Sequence, residues 1–229
     1  MLAALGIGKV LIENGSAHEA ETVLRDARSL AMRLYGSGDH PNAMMISDYL
    51  ATSLKMQGQL GAAADMYRAS YANYTRRYGP DDDGTLIAAN NLAHTLKLQG
   101  NLDDAITIFR ATLASRKRNF GAENAITLSC ARNLARTLCS RADYRDEAYA
   151  IYAEYLPIAR RVLGQEHPET IMLTINHAVQ DSVHKPGGRA EAEATLVKML
   201  AVQQRVLGMH HPDTFYTAAR LQDVRHGRS

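Results

Sequence analysis

The side chains best equipped for chemistry in this chain of 229 residues are nine histidines, two cysteines and a spaced set of asparagines and arginines. Histidine, proline and an acid recur together in "RRVLGQEHPET" (160–170) and "QRVLGMHHPDT" (204–214). A hydrolytic zinc site needs two histidines one helical turn apart, with a glutamate between them as base. Here His167 and His211 occupy the same place in two copies of one phrase, and His210–His211 lacks that spacing. Cys130 and Cys139 share no metal-ligand spacing with each other or with a histidine pair. No nucleophile with a partnered base, catalytic carboxylate pair or Cys/His cluster can be built from these residues, no GxxxxGK[ST] phosphate loop is present, and "HKPGGR" (184–189) is a lengthened turn. The expectation is a chain with no catalytic residues, no metal and no cofactor. Binding chemistry is what remains, and its groups are the amides of Asn91, Asn133 and Asn176 and the guanidinium groups of Arg132 and Arg136.

Those groups owe their spacing to an internal repeat, which has to be sought first. Worn copies of the same phrase appear as "RLYGSGDHPNA", "RRYGPDDDGT" and "RNFGAENAIT". They end at residues 43, 85, 127, 170 and 214, in steps of 42, 42, 43 and 44. Glycines 36, 79, 121, 164 and 208 keep nearly the same step. Composition agrees with a helical array. The chain is 46% apolar, rich in Ala and Leu and poor in Pro, with a net charge of only +2 from interspersed acids and bases. That charge makes nucleic acid an unnatural partner. No apolar run reaches membrane-spanning length, and "MLAALGIGKVLIENG" lacks a basic start and is broken by Lys9 and Glu13, unlike a signal peptide. Two small cysteines of core type suit a reducing, cytoplasmic setting.

One repeat, residues 85–121, predicts two amphipathic helices. Leu92, Ala93 and Leu96, then Ala105, Ile108, Phe109 and Leu113, recur at spacings of three and four. Gly100 separates them as a left-handed turn residue. Its counterparts are Gly15, Gly58, Gly187 and Asp143, the last expected to tolerate that backbone region. Five residues on comes an alanine each time (Ala20, Ala63, Ala105, Ala148, Ala192), whose methyl group permits close helix approach. The recurring phrase itself reads as a helix stop and a helix start. Basic residues gather before the glycine, where the end of a helix favours positive charge. Pro41, Pro168 and Pro212 suit a first turn, and Asp82 and Asn124 stand as N-caps where other repeats have histidine. His40, His167 and His211 thus belong to the connection. Pro157 should kink the helix that contains it. The tyrosines at 67, 71, 74 and 78 form a core stripe, and Met44, Met45, Met56 and Met66 leave open an adaptable surface beside ordinary core filling.

With "NNLA" at 90–93 ahead of Gly100, Leu102, Ala105 and Phe109, the unit resembles the tetratricopeptide repeat. The 42-residue period with "LGxxHPxT" is similar to the long kinesin-light-chain type. The resemblance implies an all-α, right-handed superhelical solenoid of antiparallel helix pairs covering the whole chain. Repeats fall at about 1–42, 43–84, 85–126, 127–169 and 170–213, with a final capping helix at 214–225. Residue 1 falls at the first position of a first helix, as in a fragment cut at a repeat boundary. The function implied is a non-enzymatic scaffold that takes a peptide segment of a partner protein in its concave groove, like a kinesin-light-chain cargo adaptor. The same long repeats also serve as sensor or oligomerisation arms of nucleotide-binding signalling ATPases, so that alternative stays open.

Overlaying the first helices places Tyr49, Asn91, Asn133, Asn176 and Arg220 at one register position. An asparagine side chain both donates and accepts, so it can hold the backbone of an extended peptide whatever its sequence. The resemblance carries peptide contact to Asn91, Asn133 and Asn176; the alternative is that these amides tie neighbouring helices together. One position earlier stand Asp48, Asn90 and Arg132, and three later Thr52, His94 and Arg136. Arg132 and Arg136 lie one helical turn apart and can present a fork to a carboxylate, or can form bridges between repeats. The family's carboxylate clamp places basic residues four before the asparagine, where this chain has Met45, Ile87, Ser129 and Met172. An acidic side chain within a linear motif is therefore favoured over a chain terminus.

Overall fold

The computed structural model describes residues 2–227, and among these the chain is all-α. In order the helices are α1 (Leu2–Glu13), α2 (Ala17–Tyr35), α3 (Pro41–Met56), α4 (Leu60–Tyr78), α5 (Asp83–Leu98), α6 (Leu102–Phe120), α7 (Ala125–Leu138), α8 (Arg145–Leu163), α9 (Pro168–His184), α10 (Gly188–Val206) and α11 (Pro212–His226). They group into two compact units, Met1–Asn119 and Phe120–Ser229. Within each unit successive helices pack on one another, and first helices also touch the next first helix: α1 on α3, α7 on α9 and α9 on α11.

The repeating alanine decides how close the helices come. Ala20, Ala63, Ala105 and Ala148 are fully buried, and Ala192 is 1% exposed. Around them the buried positions follow the helical period: α2 buries Ala20, Leu24, Ala27 and Ala31, at steps of four, three and four. In the first unit these residues meet Ile46, Leu50 and Leu54 of α3. In the second, Ile171, Ile175 and Ala178 of α9 meet Leu196 of α10 and Leu221 and Val224 of α11. Burying each Leu or Ile contributes about 1.5–3 kcal/mol, so stability is spread along each unit. Of the tyrosine stripe, Tyr67 is fully buried, Tyr71 and Tyr74 are half-buried and Tyr78 is 44% exposed.

The His-Pro phrase is a helix cap. The Nδ1 atoms of His40, His167 and His211 accept the backbone N–H two residues on, each at 3.2 Å. Asp82 and Asn124 do the same with carboxylate and amide oxygens, at 2.9 Å. An acceptor atom just ahead of the first turn satisfies an otherwise unpaired donor, and imidazole, carboxylate and amide each supply it here.

The basic residues before each glycine have specific partners. Arg76 pairs with Asp39, Arg118 with Asp81 (2.6 Å), Arg161 with Glu123 (2.7 Å) and Arg205 with Glu166 (2.5 Å). Each acid lies in the connection one repeat earlier. Exposed pairs of this kind contribute little to stability, but the series fixes how one helix pair seats on the last.

No non-glycine residue takes a positive φ among the described residues, so Asp143 does not form the left-handed turn expected of it. A short 3-10 turn at Ala142–Tyr144 replaces it, with Arg141 bonded to the Asp143 carboxylate at 3.0 and 3.2 Å. A turn of that kind closes with ordinary negative φ, whereas the left-handed region costs any residue with a Cβ. Pro157 lies inside α8, which runs unbroken from Arg145 to Leu163.

Candidate functional site

In the first unit, α3 and α5 carry the candidate groups. The carboxylate of Asp48 turns to α4, where it accepts hydrogen bonds from the hydroxyls of Ser70 and Tyr74. Burial pushes its pKa up to about 6, and the two hydroxyls only partly offset the loss of water. Thr52 shares a 2.7 Å hydrogen bond with the Tyr67 hydroxyl and donates to the Asp48 carbonyl at 2.9 Å. Burial also raises the Tyr67 phenol to about 12, and it lowers Lys55, whose ammonium sits 5.7 Å from the Tyr67 ring. Tyr49 packs half-buried on the core. Asp48 and Thr52 are therefore engaged with the paired second helix. Asn90, Asn91 and His94 are half-buried on α5. The Asn91 carbonyl accepts from Thr95 at 2.8 Å, and its side-chain amide has no hydrogen-bond partner among the described residues.

In the second unit the first helices α7, α9 and α11 bring several polar groups together. Arg132 donates from Nε to Glu169 at 2.6 Å, both side chains about 15% exposed, which ties α7 to the start of α9. Asn176 is 5% exposed, and its amide oxygen accepts from the Tyr216 hydroxyl at 2.9 Å. Its amide nitrogen is buried without a partner. Asn133 is half-buried on α7, its carbonyl accepting from Thr137 at 2.7 Å, and Arg136 is half-buried one turn on. The Tyr216 phenol is raised by burial and opposed by the charges of Arg136, Arg220 and Arg132. Arg220 stacks 5.6 Å from the Tyr216 ring and pairs with Asp223 at 2.7 Å, while its Nε is buried without an acceptor. Three guanidinium groups thus act on one phenol, with Arg132 paired to Glu169 and Arg220 to Asp223.

Sequence reasoning missed Tyr216 and Glu169. Tyr216 stands four residues before Arg220, aligned with Met172, Ser129 and Ile87, so a polar aromatic there was a visible departure from the column. Glu169 carried only the signal of an acid at a helix start. No group of three or more His, Cys, Asp or Glu side chains is placed to hold a metal ion among the described residues. Among the described residues no helix is long and apolar enough to cross a membrane.

No curated protein matches the chain. Two crystal structures of the nearly identical TPR-like repeats of a kinesin-light-chain candidate from Podosopora anserina superpose with TM-scores of 0.76 and 0.74. Each is 19% identical and covers 90% and 89% of this chain and 95% of that one. BtubC (BKLC) from P. vanneervenii gives 0.61 at 19% identity, over 96% of this chain and 77% of its own. A Rap protein complexed with competence and sporulation factor gives 0.65 at 12% identity, over 98% of this chain and 63% of its own. At such identities the likeness is one of fold. Family models described as tetratricopeptide repeat match residues 1–76, 43–118, 84–146 and 127–169, well over half the chain. The chain belongs to the tetratricopeptide-repeat family.

Proposed function

We propose that this chain is a non-enzymatic scaffold that binds an extended peptide segment of a partner protein along its first helices, as a kinesin-light-chain-like adaptor does. The observation that carries the reading is the concentration of Arg132, Arg136 and Arg220 around Tyr216 on α7 and α11. Three guanidinium groups gathered on one half-buried face favour an acidic side chain of the ligand. Asn133 and the Tyr216 hydroxyl stand beside it as groups for a peptide backbone, while the Asn176 oxygen is spent on holding Tyr216. In the first unit the unpartnered amide of Asn91 is the corresponding backbone group. A family-wide role as protein-interaction modules supports the scaffold reading. The neighbour crystallised with competence and sporulation factor supports a second one, in which the ligand is a signalling peptide.

The test is a peptide-array screen, followed by titration of the best acidic peptide and its amide analogue. Arg136→Ala should weaken the acidic peptide roughly ten-fold or more, since bonds to charged groups are worth about 1.5–3 kcal/mol. It should affect the amide analogue much less, and added salt should narrow the gap. Binding indifferent to Arg136, Asn91 and Asn133 refutes the proposal.

A further inference from the structure

The second unit also holds a cleft of about 280 Å³ that plays no part in the face described above. It is lined by Arg160 of α8, Gln165 of the following connection, Thr174 of α9, and Thr195, Lys198 and Met199 of α10. Thr174 lies two residues from Asn176, about 200° around α9, so the cleft opens away from the first-helix face. No carboxylate lines it among the described residues. Arg160 and Lys198 are exposed and form no ion pair among the described residues, although the adjacent Arg161 and the nearby Arg205 are each held by a glutamate. The Thr195 hydroxyl and the Gln165 amide likewise have no hydrogen-bond partner there.

The equivalent cleft of the first unit, about 260 Å³, shows what is ordinary at this place in the fold. Counted from the same glycine and alanine, Met32 stands where Arg160 does, Met66 where Thr195 does and Ala69 where Lys198 does. At these three positions the first unit has two thioethers and a methyl group, in a cleft that also holds both a cation, Arg28, and a carboxylate, Asp65, whereas the second unit has a guanidinium, a hydroxyl and an ammonium group. Two uncompensated cations and two unsatisfied neutral donor groups call for a ligand of nearly two negative charges with at least three acceptor oxygens. A carboxylate has too little of both. A phosphate monoester has about −1.5 to −2 charges and three oxygens, and the Met199 side chain offers apolar contact to the stem that carries it.

We propose that this cleft binds a phosphate monoester borne on a phosphorylated serine or threonine of a partner protein. Arg160 supplies the planar fork, Lys198 a point charge, and Thr195 and Gln165 the neutral donors. The experiment titrates the full chain by NMR with inorganic phosphate, with a short phosphoserine peptide and with its unphosphorylated form. The phosphopeptide should bind saturably and more tightly than inorganic phosphate, and the serine peptide should not bind. Arg160→Gln and Lys198→Gln should each weaken it roughly ten-fold or more, whereas Arg161→Gln, an equal change of charge at a paired arginine, should change it less than about two-fold. These are exposed side chains, so the variants should keep the wild-type circular dichroism. Arg136→Ala and Asn91→Ala should leave this titration unmoved, so failure of the peptide face and failure of the cleft are separable. Equal losses from Arg160→Gln and Arg161→Gln, or no saturable binding, overturn the site. Inorganic phosphate binding as tightly as the phosphopeptide overturns its assignment to a protein-borne group.

Discussion

Replacing Asp48 by asparagine should make the first unit more stable at neutral pH, although it removes a hydrogen-bonded carboxylate. Asp48 has an ordinary pKa of 3.8 when the chain is unfolded and about 6 when burial withdraws it from water. Below pH 3.8 the acid is neutral in both states and costs nothing. As pH rises towards 6 the unfolded chain ionises freely while the folded one resists, and stability falls; above 6 the loss is complete. Each pKa unit is worth about 1.4 kcal/mol, so the full cost is about 3 kcal/mol at pH 7 and under about 1 kcal/mol at pH 4. Asparagine carries no charge to desolvate and keeps one oxygen for Ser70 or Tyr74. The second acceptor is lost, at a net cost of about 0.5–1.5 kcal/mol. Asp48→Asn should therefore gain about 2 kcal/mol at pH 7 and gain nothing, or lose slightly, at pH 4.

The assay is urea unfolding followed by circular dichroism at the two pH values, for wild type and variant. The quantity that decides is the change in the variant's advantage between them, because helix propensity and other constant effects cancel. A variant no more stable than wild type at pH 7, or an advantage that does not shrink on acidification, refutes the argument. It would mean that Ser70 and Tyr74 compensate the charge fully, and that Asp48 belongs with the satisfied carboxylates.

Two further predictions follow from local geometry. His167→Ala should destabilise the second unit by about 0.5–2 kcal/mol, as loss of an N-cap does, while His167→Asn, the residue found at the matching position 124, should restore most of it in the same thermal melt. Gly188→Ala should cost about 1–3 kcal/mol, because a Cβ there would stand 2.2 Å from the Asp181 carbonyl oxygen, a backbone atom that cannot swing aside; wild-type melting behaviour in that variant would show that α10 is free to shift.

Much of the fold was legible because it is periodic. One repeat's spacing of Leu92, Leu96, Ala105 and Phe109 predicted paired helices, and the described residues are all-α. The alanines were legible for the same reason, since a residue that must be small in every copy stands out in an overlay. What periodicity could not reveal is which way a polar side chain turns. Asp48 and Thr52 share the candidate register yet bond to Ser70 and Tyr67 of the paired helix. Arg116, a basic residue in a run of basic residues, is 1% exposed and reaches Asp83 at 2.8 Å. Asn176 looked like Asn91, but a tyrosine 40 residues later claims its oxygen. Each of these outcomes depends on a partner from another helix, and an overlay of repeats compares a residue only with its own copies.

The arginines before the glycines show how such a partner changes the meaning of a pattern. Read along one helix, positive charge in the last turn offsets the helix dipole, and Arg160 and Arg161 are then equivalent. Across helix pairs they are not. Arg161 belongs to the series that includes Arg76, Arg118 and Arg205, each paired with an acid of the preceding connection. Arg160 occupies a position filled elsewhere by Met32, Thr75, Lys117 and Gln204, where no acid recurs at a fixed distance. The dipole explains the enrichment of basic residues and the ion-pair series explains one arginine per repeat, so the charge of Arg160 is surplus to both. A surplus cation is ordinary on an open surface. Beside a second one, Lys198, in a cleft without carboxylates, it is the feature of the second unit that the architecture of the repeat leaves unexplained.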